Sequence, residues 1–228
     1  MTEPAQDNQP DTRTRLLEAA VHCFAEKGFE GTGIRDIAQR AQANSALVQY
    51  HFGGKEGLYL AAMKFLFEQG PDVVRTLPPP PAPGEPKALP RAIESLRNYV
   101  RAFLEELFAC HGTGQCSREL GAAMQLFWTR EMMNPGSERV DLILGHIQPH
   151  LDYLYACFKV LRPSLEGEAR FLMGASIHAQ IVFFHRDMAM IGLLRGAAYG
   201  PQDIEALTAH ITEFSLRGLG LAGSDPGA

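Results

Sequence analysis

The sequence contains no long hydrophobic run and few cysteines. No apolar stretch approaches the ~18 residues that a membrane-spanning helix needs, and residues 1–15 are polar and carry acidic side chains, unlike a targeting segment. The cysteines Cys23, Cys110, Cys116 and Cys157 are irregularly spaced, which is typical of free thiols in a reducing compartment. We therefore expect a soluble cytoplasmic protein with no membrane association and no disulfide framework.

Strand-like patterns are also missing. No stretch of about four to eight residues alternates apolar and polar side chains cleanly, whereas apolar residues recur at helical spacing along most of the chain. The 228 residues are 46% apolar and 21% charged, which is ordinary for a globular protein with one large domain or two small ones. The prediction is an all-α fold.

Proline is concentrated in one segment. Eight of the fifteen prolines fall between Pro71 and Pro90, and no helix interior tolerates that density. This predicts a Pro-rich loop at 77–90. After the loop, apolar periodicity and Gly/Pro breaks predict helices at about 91–111, 117–133, 137–161, 166–195 and 202–219.

Charge is unevenly distributed. The formal net charge of −5 argues against general affinity for nucleic acid. Residues 12–64, however, hold seven Lys/Arg and five Asp/Glu, net +2, so the rest of the chain carries −7. The N-terminal part is therefore the part suited to an anionic partner.

Two short helical segments near the N-terminus are joined by only three residues. The first, 34–41, has an apolar face; residues 42–44 link it to the second, 45–52; and a longer helix from Thr12 to about Gly28 precedes both, with Thr32 as the expected N-cap of the first short helix. This arrangement predicts a helix-turn-helix, whose second helix enters the major groove of DNA.

Helical geometry assigns the faces of the second segment. At about 100° per residue, Val48 and Phe52 point inward, and the outward positions are Ala46, Leu47, Gln49 and Tyr50. An outward glutamine can pair with an adenine edge, methyl groups can touch thymine, and a phenol can reach a phosphate. Arg35, His51 and Lys55 are placed to meet backbone phosphates.

The residues of this region resemble the DNA-binding domain of TetR-family transcriptional regulators. The matching features are Phe24, Gly28-Phe29 and Thr32, the run Ile34-Arg35-Asp36-Ile37-Ala38, and the run from Tyr50 to Leu58. The resemblance covers about 50 residues and implies DNA contacts by Thr32, Arg35, Ser45, Ala46, Leu47, Gln49, Tyr50, His51 and Lys55.

Two positions depart from the family pattern. The family commonly has Gly where this chain has Gln42, so either the turn avoids a positive φ there or Gln42 is strained. The family commonly has Tyr where this chain has Gln49, which leaves the phosphate role to Tyr50, His51 and Lys55.

A second resemblance covers the C-terminal body. The run Phe127-Trp128-Thr129-Arg130-Glu131-Met132 with Pro135, followed by Ile147 to Leu151, resembles the CecR-like branch of the TetR family. Such domains bind small effectors and dimerise. The expected organisation is therefore a flexible N-terminus at 1–11, a helix-turn-helix domain at 12–56, and a helical effector-binding and dimerisation domain at 57–228.

The sequence of the C-terminal body predicts an effector site and a dimer interface. A hydrophobic or aromatic effector suits its aromatic and Met-rich composition. The candidate ligand residues are Phe127, Trp128, Arg130, Tyr153, His178 and Gln180. Two helices from each subunit would form a four-helix bundle, with candidate contacts Leu172, Ala175, Ala179, Phe183, Leu207, Ile211 and Phe214.

These patterns favour a ligand-responsive repressor that binds a near-palindromic double-stranded operator as a homodimer and needs no cofactor. One alternative is a metal or redox sensor that uses Cys110, His111 and Cys116. Another is a helical metal-dependent enzyme, but the sequence has no Glu-x-x-His repeats, Gly-rich phosphate loop or G-x-S-x-G turn. We therefore do not expect an enzyme.

Overall fold

The computed structural model describes residues 11–69, 73–109, 118–133, 135–186 and 188–221. Every regular element in these ranges is helical, which confirms the all-α prediction. The α-helices are α1 (Thr12–Gly31), α2 (Ile34–Arg40), α3 (Ala46–Phe52), α4 (Lys55–Gln69), α5 (Val73–Thr76), α6 (Ala88–Ala109), α7 (Arg118–Met133), α8 (Val140–Leu161), α9 (Gly167–Arg186), α10 (Met188–Arg195) and α11 (Ile204–Gly218). Short 3-10 turns lie at Ser137–Arg139 and Pro201–Asp203.

The chain divides into two compact units. Unit 1 comprises Met1–Gly70 and Gly114–Leu142, and unit 2 comprises Pro71–Thr113 and Ile143–Ala228. The sequence-based boundary at residue 56 therefore differs from the structure, because α4 and α7 both belong to unit 1. Their apolar side chains Leu58, Met63 and Phe127 are fully or almost fully buried, and this burial explains why they stay with the helix-turn-helix.

Local signals explain where α1 begins and bends. Asp11 is the N-cap, and its carboxylate accepts a hydrogen bond from the Thr14 amide at 2.7 Å. Gly28 has φ +72°, as expected for a glycine at the point where the regular helix ends. The N-cap of α2 is Gly33 rather than Thr32, because the Thr32 side chain points into the core of unit 1.

The turn between α2 and α3 carries backbone strain. Gln42 has φ +50°. The turn therefore does not avoid a positive φ at this position, and the Gln42 backbone is strained. Asn44 then orders the start of α3, because its Oδ1 accepts a hydrogen bond from the Ala46 amide at 2.9 Å. Gly53, with φ +74°, ends α3 in the left-handed conformation that glycine favours.

Unit 2 is built around α6, α8, α9 and α11. α6 begins at Ala88, so Pro90 lies in its first turn, where proline is tolerated, and the Pro-rich loop ends slightly earlier than expected. The helix expected at 166–195 corresponds to α9 and α10. The buried core consists of Val73, Ala92, Leu96, Tyr99, Val100, Leu104, Phe108, Tyr153, Leu154, Cys157, Phe158, Leu161, Ile177, Ile181, Leu207, Ile211 and Leu219.

Candidate nucleic-acid interface

The two faces of α3 differ sharply in exposure. Val48 is completely buried, whereas Gln49 and His51 are exposed and Tyr50 is 81% exposed. Ser45 and Ala46 at the start of the helix are also exposed, and Leu47 is half-buried. The burial of Val48 confirms the predicted orientation of α3. The exposed face offers an amide, a phenol, an imidazole and small apolar groups to a partner.

Basic side chains flank this face. Arg35 is exposed in the first turn of α2, and Lys55 begins α4. The Lys55 ammonium lies 4.5 Å from the centre of the Phe29 ring and 3.5 Å from the Glu30 carbonyl oxygen. Among the described residues, neither Arg35 nor Lys55 forms a salt bridge, so both keep a positive charge suited to phosphate.

Two other basic residues are neutralised within unit 1. The Lys27 ammonium lies 2.9 Å from an Asp36 carboxylate oxygen, and the Arg40 guanidinium lies 2.9 Å from Glu26. The hydrogen bond and charge of Lys27 lower the pKa of Asp36. These exposed pairs link α1 to α2 and contribute little to stability individually.

The structure does not support the predicted DNA contact by the Thr32 side chain. Its side chain is only 2% exposed, and its hydroxyl lies 3.0 Å from the Cys23 carbonyl oxygen and 2.7 Å from that of Gly28. A hydroxyl that donates inward to the end of α1 is not available to a phosphate. Thr32 therefore stabilises the bend of α1 instead of contacting DNA.

The predicted effector residues do not lie in one unit. Phe127, Trp128 and Arg130 belong to unit 1, and Tyr153, His178 and Gln180 belong to unit 2. Phe127 is 1% exposed, and its ring centre lies 5.9 Å from that of Phe24 and 5.0 Å from that of Tyr59. Phe127 is therefore a core residue of the DNA-binding unit rather than a pocket wall.

Trp128 and Arg130 also have partners within unit 1. The Trp128 ring packs edge-to-face on Phe67, with 5.4 Å between the ring centres. Arg130 is exposed, and its guanidinium donates to the Glu26 carbonyl at 3.1 Å, near the bend at Gly28. A cation near the end of a helix interacts favourably with its carbonyl groups. The anchor role of Arg130 stays a prediction; this contact is the one that the structure gives to its guanidinium.

Two of the unit 2 candidates, Tyr153 and His178, belong to a group of aromatic and imidazole side chains, which we call the histidine cluster and define as Tyr99, Phe103, His150, Tyr153 and His178. The Tyr99 hydroxyl and His150 Nδ1 are hydrogen-bonded at 3.2 Å, and the Phe103 ring centre lies 5.2 Å from that of His150 and 5.1 Å from that of His178. Tyr99 and Tyr153 stack at 5.6 Å. α6, α8 and α9 each contribute to this cluster.

Burial controls the protonation of the histidine cluster. Desolvation lowers the pKa of His178, and the charge of His146 lowers it further. Desolvation also raises the pKa of Tyr153 to about 12. Tyr153 donates a hydrogen bond to the Pro78 carbonyl at 3.1 Å. Gln180 is half-buried, and its amide lies 3.3 Å from the Ser176 carbonyl on its own helix. Burial therefore favours the uncharged forms of His178 and Tyr153, and the cluster is rich in hydrogen-bonding groups.

The predicted dimer residues separate into two groups. Leu172, Phe183 and Phe214 are 54%, 46% and 60% exposed, and Ala179 is also exposed, whereas Ala175 is half-buried. Leu207 and Ile211 are 3% and 0% exposed, and they belong to the core of unit 2. Leu207 and Ile211 are therefore corrected to core residues, since they face inward from α11.

The metal-sensor alternative concerns residues Cys110, His111 and Cys116, which lie outside the described residues. Within the described ranges, no group of three or more His, Cys, Asp or Glu side chains is placed to hold a metal ion. Cys23 and Cys157 are buried free thiols, and burial raises the pKa of Cys157 to about 12. No helix in the described ranges has both the length and the apolar character to cross a membrane.

The all-α unit with an exposed recognition helix defines a helix-turn-helix DNA-binding regulator. Residues 16–74 match the model of the tetR family of bacterial regulatory proteins. Residues 92–219 match the C-terminal domain of the HTH-type transcriptional dual regulator CecR. The chain belongs to the TetR family, in its CecR-like branch, and both resemblances in the sequence are thereby confirmed.

Relatives and structures are consistent with this family. The regulator BetI of Serratia proteamaculans is 26% identical over 219 residues, 94% of this chain and 98% of that protein. BetI 1 of Chromohalobacter salexigens is 26% identical over 141 residues, 61% of this chain and 62%, less than two thirds, of that protein. A TetR-like regulator from Rhodococcus sp. RHA1 superposes with a TM-score of 0.56 at 18% identity, covering 93% of this chain and 99% of that one, which shows the fold alone.

Proposed function

We propose that this protein is a transcriptional repressor that binds a near-palindromic operator as a homodimer and is released from it by a small hydrophobic or aromatic effector. A dimer that occupies an operator and lacks an activation surface most simply blocks polymerase. The observation that carries the proposal is the exposed face of α3, where Gln49 and Tyr50 project from a helix whose opposite side is anchored by the buried Val48. Ser45, Ala46, Leu47 and His51 extend this face.

The base-reading part of the proposal rests on Gln49. A glutamine amide matches the adenine edge in the major groove, and one such pair is worth about 1–3 kcal/mol of discrimination. Duplex fragments retained by the purified protein from genomic DNA supply the operator. Gln49→Ala then relaxes sequence preference at one position of each half-site. The matched control is Gln202→Ala, which truncates an exposed glutamine in unit 2; equal preference in all three proteins would contradict the assignment.

The dimer part rests on exposed apolar side chains of α9 and α11. Leu172, Phe183 and Phe214 are each about half exposed, although large apolar side chains are stabilised by burial. A two-fold interface formed by these helices would match the symmetry of the operator. Phe214→Glu is expected to convert a dimer into a 25.1 kDa monomer at micromolar concentration in light scattering. Tyr50→Glu, on the exposed face of α3, should leave the dimer intact, and a monomeric parent would contradict the interface.

The effector part is placed in the histidine cluster of unit 2. Aromatic walls with a few polar groups are what a drug-sized ligand requires, and Tyr153, His178 and the adjacent Gln180 are the remaining predicted anchors. Aromatic acids and lipophilic compounds are screened for release of labelled operator. His178→Phe should weaken the response to an active compound without changing operator affinity in its absence. A compound that releases both proteins at the same concentration would place the effector elsewhere.

A further inference from the structure

A buried carboxylate lies at the centre of unit 1. Glu131 of α7 is 2% exposed, and its oxygens accept three hydrogen bonds. The Tyr59 hydroxyl donates to Oε2 at 2.5 Å, Nε of Arg139 donates to Oε1 at 2.6 Å, and the Gly136 amide donates to Oε1 at 3.2 Å. A buried charge is tolerated only when it is paired and hydrogen-bonded in this way, so Glu131 fixes the positions of its donors.

Two of the three donors of Glu131, Tyr59 and Arg139, lie against one aromatic ring, that of Phe29 at the end of α1. The Tyr59 and Phe29 rings pack edge-to-face with 5.1 Å between their centres. The Arg139 guanidinium carbon lies 4.8 Å from the Tyr59 ring centre and 5.9 Å from that of Phe29. The carboxylate therefore holds a phenol and a guanidinium around Phe29.

The same ring supports the Lys55 side chain. The ammonium lies 4.5 Å from the Phe29 ring centre, within the range of a cation–π interaction. Lys55 and Tyr59 are four residues apart on α4, so they lie on one helix face and reach the same ring. A continuous series of contacts thus runs from Glu131, through Tyr59 and Arg139, to Phe29 and Lys55.

We propose that Glu131 is a positioning residue for DNA binding, which acts by holding Phe29 and α4 so that the Lys55 ammonium is ordered before it meets a phosphate. A free lysine side chain loses rotamer entropy when it is fixed, and prior ordering reduces that loss on binding. The inference rests on the proposed function, because it takes Lys55 as a phosphate contact. It gives α7, which lies in the C-terminal part of the sequence, a role in positioning a DNA-contacting side chain of unit 1.

The test is a double-mutant cycle read from the salt dependence of operator binding. Parent, Lys55→Gln, Glu131→Gln and the double variant are compared over about 50–200 mM salt, with the active fraction measured by stoichiometric titration. Lys55→Gln should reduce the slope of log affinity against log salt by about 1. Glu131→Gln should lower affinity about three- to tenfold and reduce the slope in the same direction. The double variant should match Lys55→Gln alone.

Controls separate positioning from general destabilisation. Glu85→Gln removes a carboxylate from an exposed pair with Arg91, 2.6 Å apart in unit 2, and should change neither affinity nor slope. Tyr59→Phe removes a single donor to Glu131 and keeps the ring, so it tests the same series of contacts if Glu131→Gln folds poorly. It should produce a smaller decrease in slope than Glu131→Gln.

The possible failures are distinguishable. A parental slope in Lys55→Gln would contradict the phosphate contact and with it this part of the proposed function. A decreased slope in Lys55→Gln, with parental slopes in Glu131→Gln and Tyr59→Phe, would overturn only the positioning role. Additive effects in the double variant would likewise show that Glu131 acts on stability and not through Lys55.

Discussion

The two units bury polar groups in opposite ways. In unit 1, the ionised pair Glu131–Arg139 is enclosed by aromatic rings, and the donors named above satisfy the carboxylate. In unit 2, the histidine cluster consists of phenols and imidazoles, and burial keeps the pKa of His178 low. A buried charge allows few arrangements of its partners, whereas neutral groups exchange hydrogen bonds at lower cost. The difference suits a fixed DNA-binding surface in unit 1 and the ligand site proposed for unit 2.

Breaking the charged pair should have the largest effect on stability. Arg139→Ala leaves the Glu131 carboxylate buried without its cationic partner, which typically costs about 3–5 kcal/mol. The free energy of unfolding is measured by urea denaturation, with Trp128 fluorescence as the reporter for unit 1. Arg217→Ala removes an exposed cation 2.5 Å from Glu213 and should cost less than about 1 kcal/mol. Equal costs would show that the Glu131 pair does not stabilise unit 1.

The buried His178 of the histidine cluster should instead make stability depend on pH. Because the folded state lowers the pKa of His178 from its ordinary value of 6.5, the unfolded state binds the proton more readily. The free energy of unfolding should therefore fall as pH decreases below 6.5, by at most about 1.4 kcal/mol per pH unit for one proton. His178→Phe should reduce this slope in urea denaturation repeated at several pH values.

A second histidine, His22, affects how that experiment is interpreted. Burial also lowers the pKa of His22 in unit 1, so His178→Phe should leave a residual slope. His51→Asn changes an exposed imidazole on α3 and should keep the parental pH dependence in the absence of DNA. If His178→Phe and His51→Asn gave the same slope, the unit 2 cluster would not be the source of the pH dependence.

Removing a neutral hydrogen bond should cost less than removing the charged partner. Tyr99→Phe deletes the hydroxyl that is bonded to His150 at 3.2 Å, and a single neutral hydrogen bond contributes about 1 kcal/mol. Urea denaturation followed by circular dichroism measures the change, with Tyr50→Phe at the exposed phenol as the control. If Tyr99→Phe lowered the free energy of unfolding as much as Arg139→Ala, the neutral group in unit 2 and the charged pair in unit 1 would not differ in their contribution to stability.

The smallest effect concerns the backbone of unit 1, and it separates backbone strain from side-chain pairing there. Gln42→Gly should stabilise the protein by about 0.5 kcal/mol, because glycine adopts the φ of +50° at this turn without steric cost. Gln39→Gly, within α2, should instead destabilise by about 0.5–1 kcal/mol. Thermal denaturation of both variants tests this. A loss of stability in Gln42→Gly would show that its side chain compensates for the strain.

The sequence predicted the features that depend on neighbouring residues, namely the helix faces and the helix ends. Helical periodicity placed Val48 inside and Gln49 outside, since the faces of a short helix follow from spacing alone. Gly28 marked the end of the regular part of the first helix, where its backbone adopts a positive φ. Thr32 was assigned wrongly, because a hydroxyl just before a helix suits either a cap or a phosphate. Only the packing shows that it donates to α1.

The tertiary structure decided which helix faces pack against each other. A carboxylate such as that of Glu131 needs partners if it is buried, but several helices offer a phenol or a guanidinium, and no spacing rule selects Tyr59 and Arg139 across the chain. The same uncertainty applied to Leu207 and Ile211, whose apolar side chains suit a core or a dimer interface equally well. Periodicity defines a helix and its apolar stripe, because these depend on neighbouring residues. The partner of that stripe depends on the arrangement of distant segments, and that arrangement assigned α7 to the DNA-binding unit.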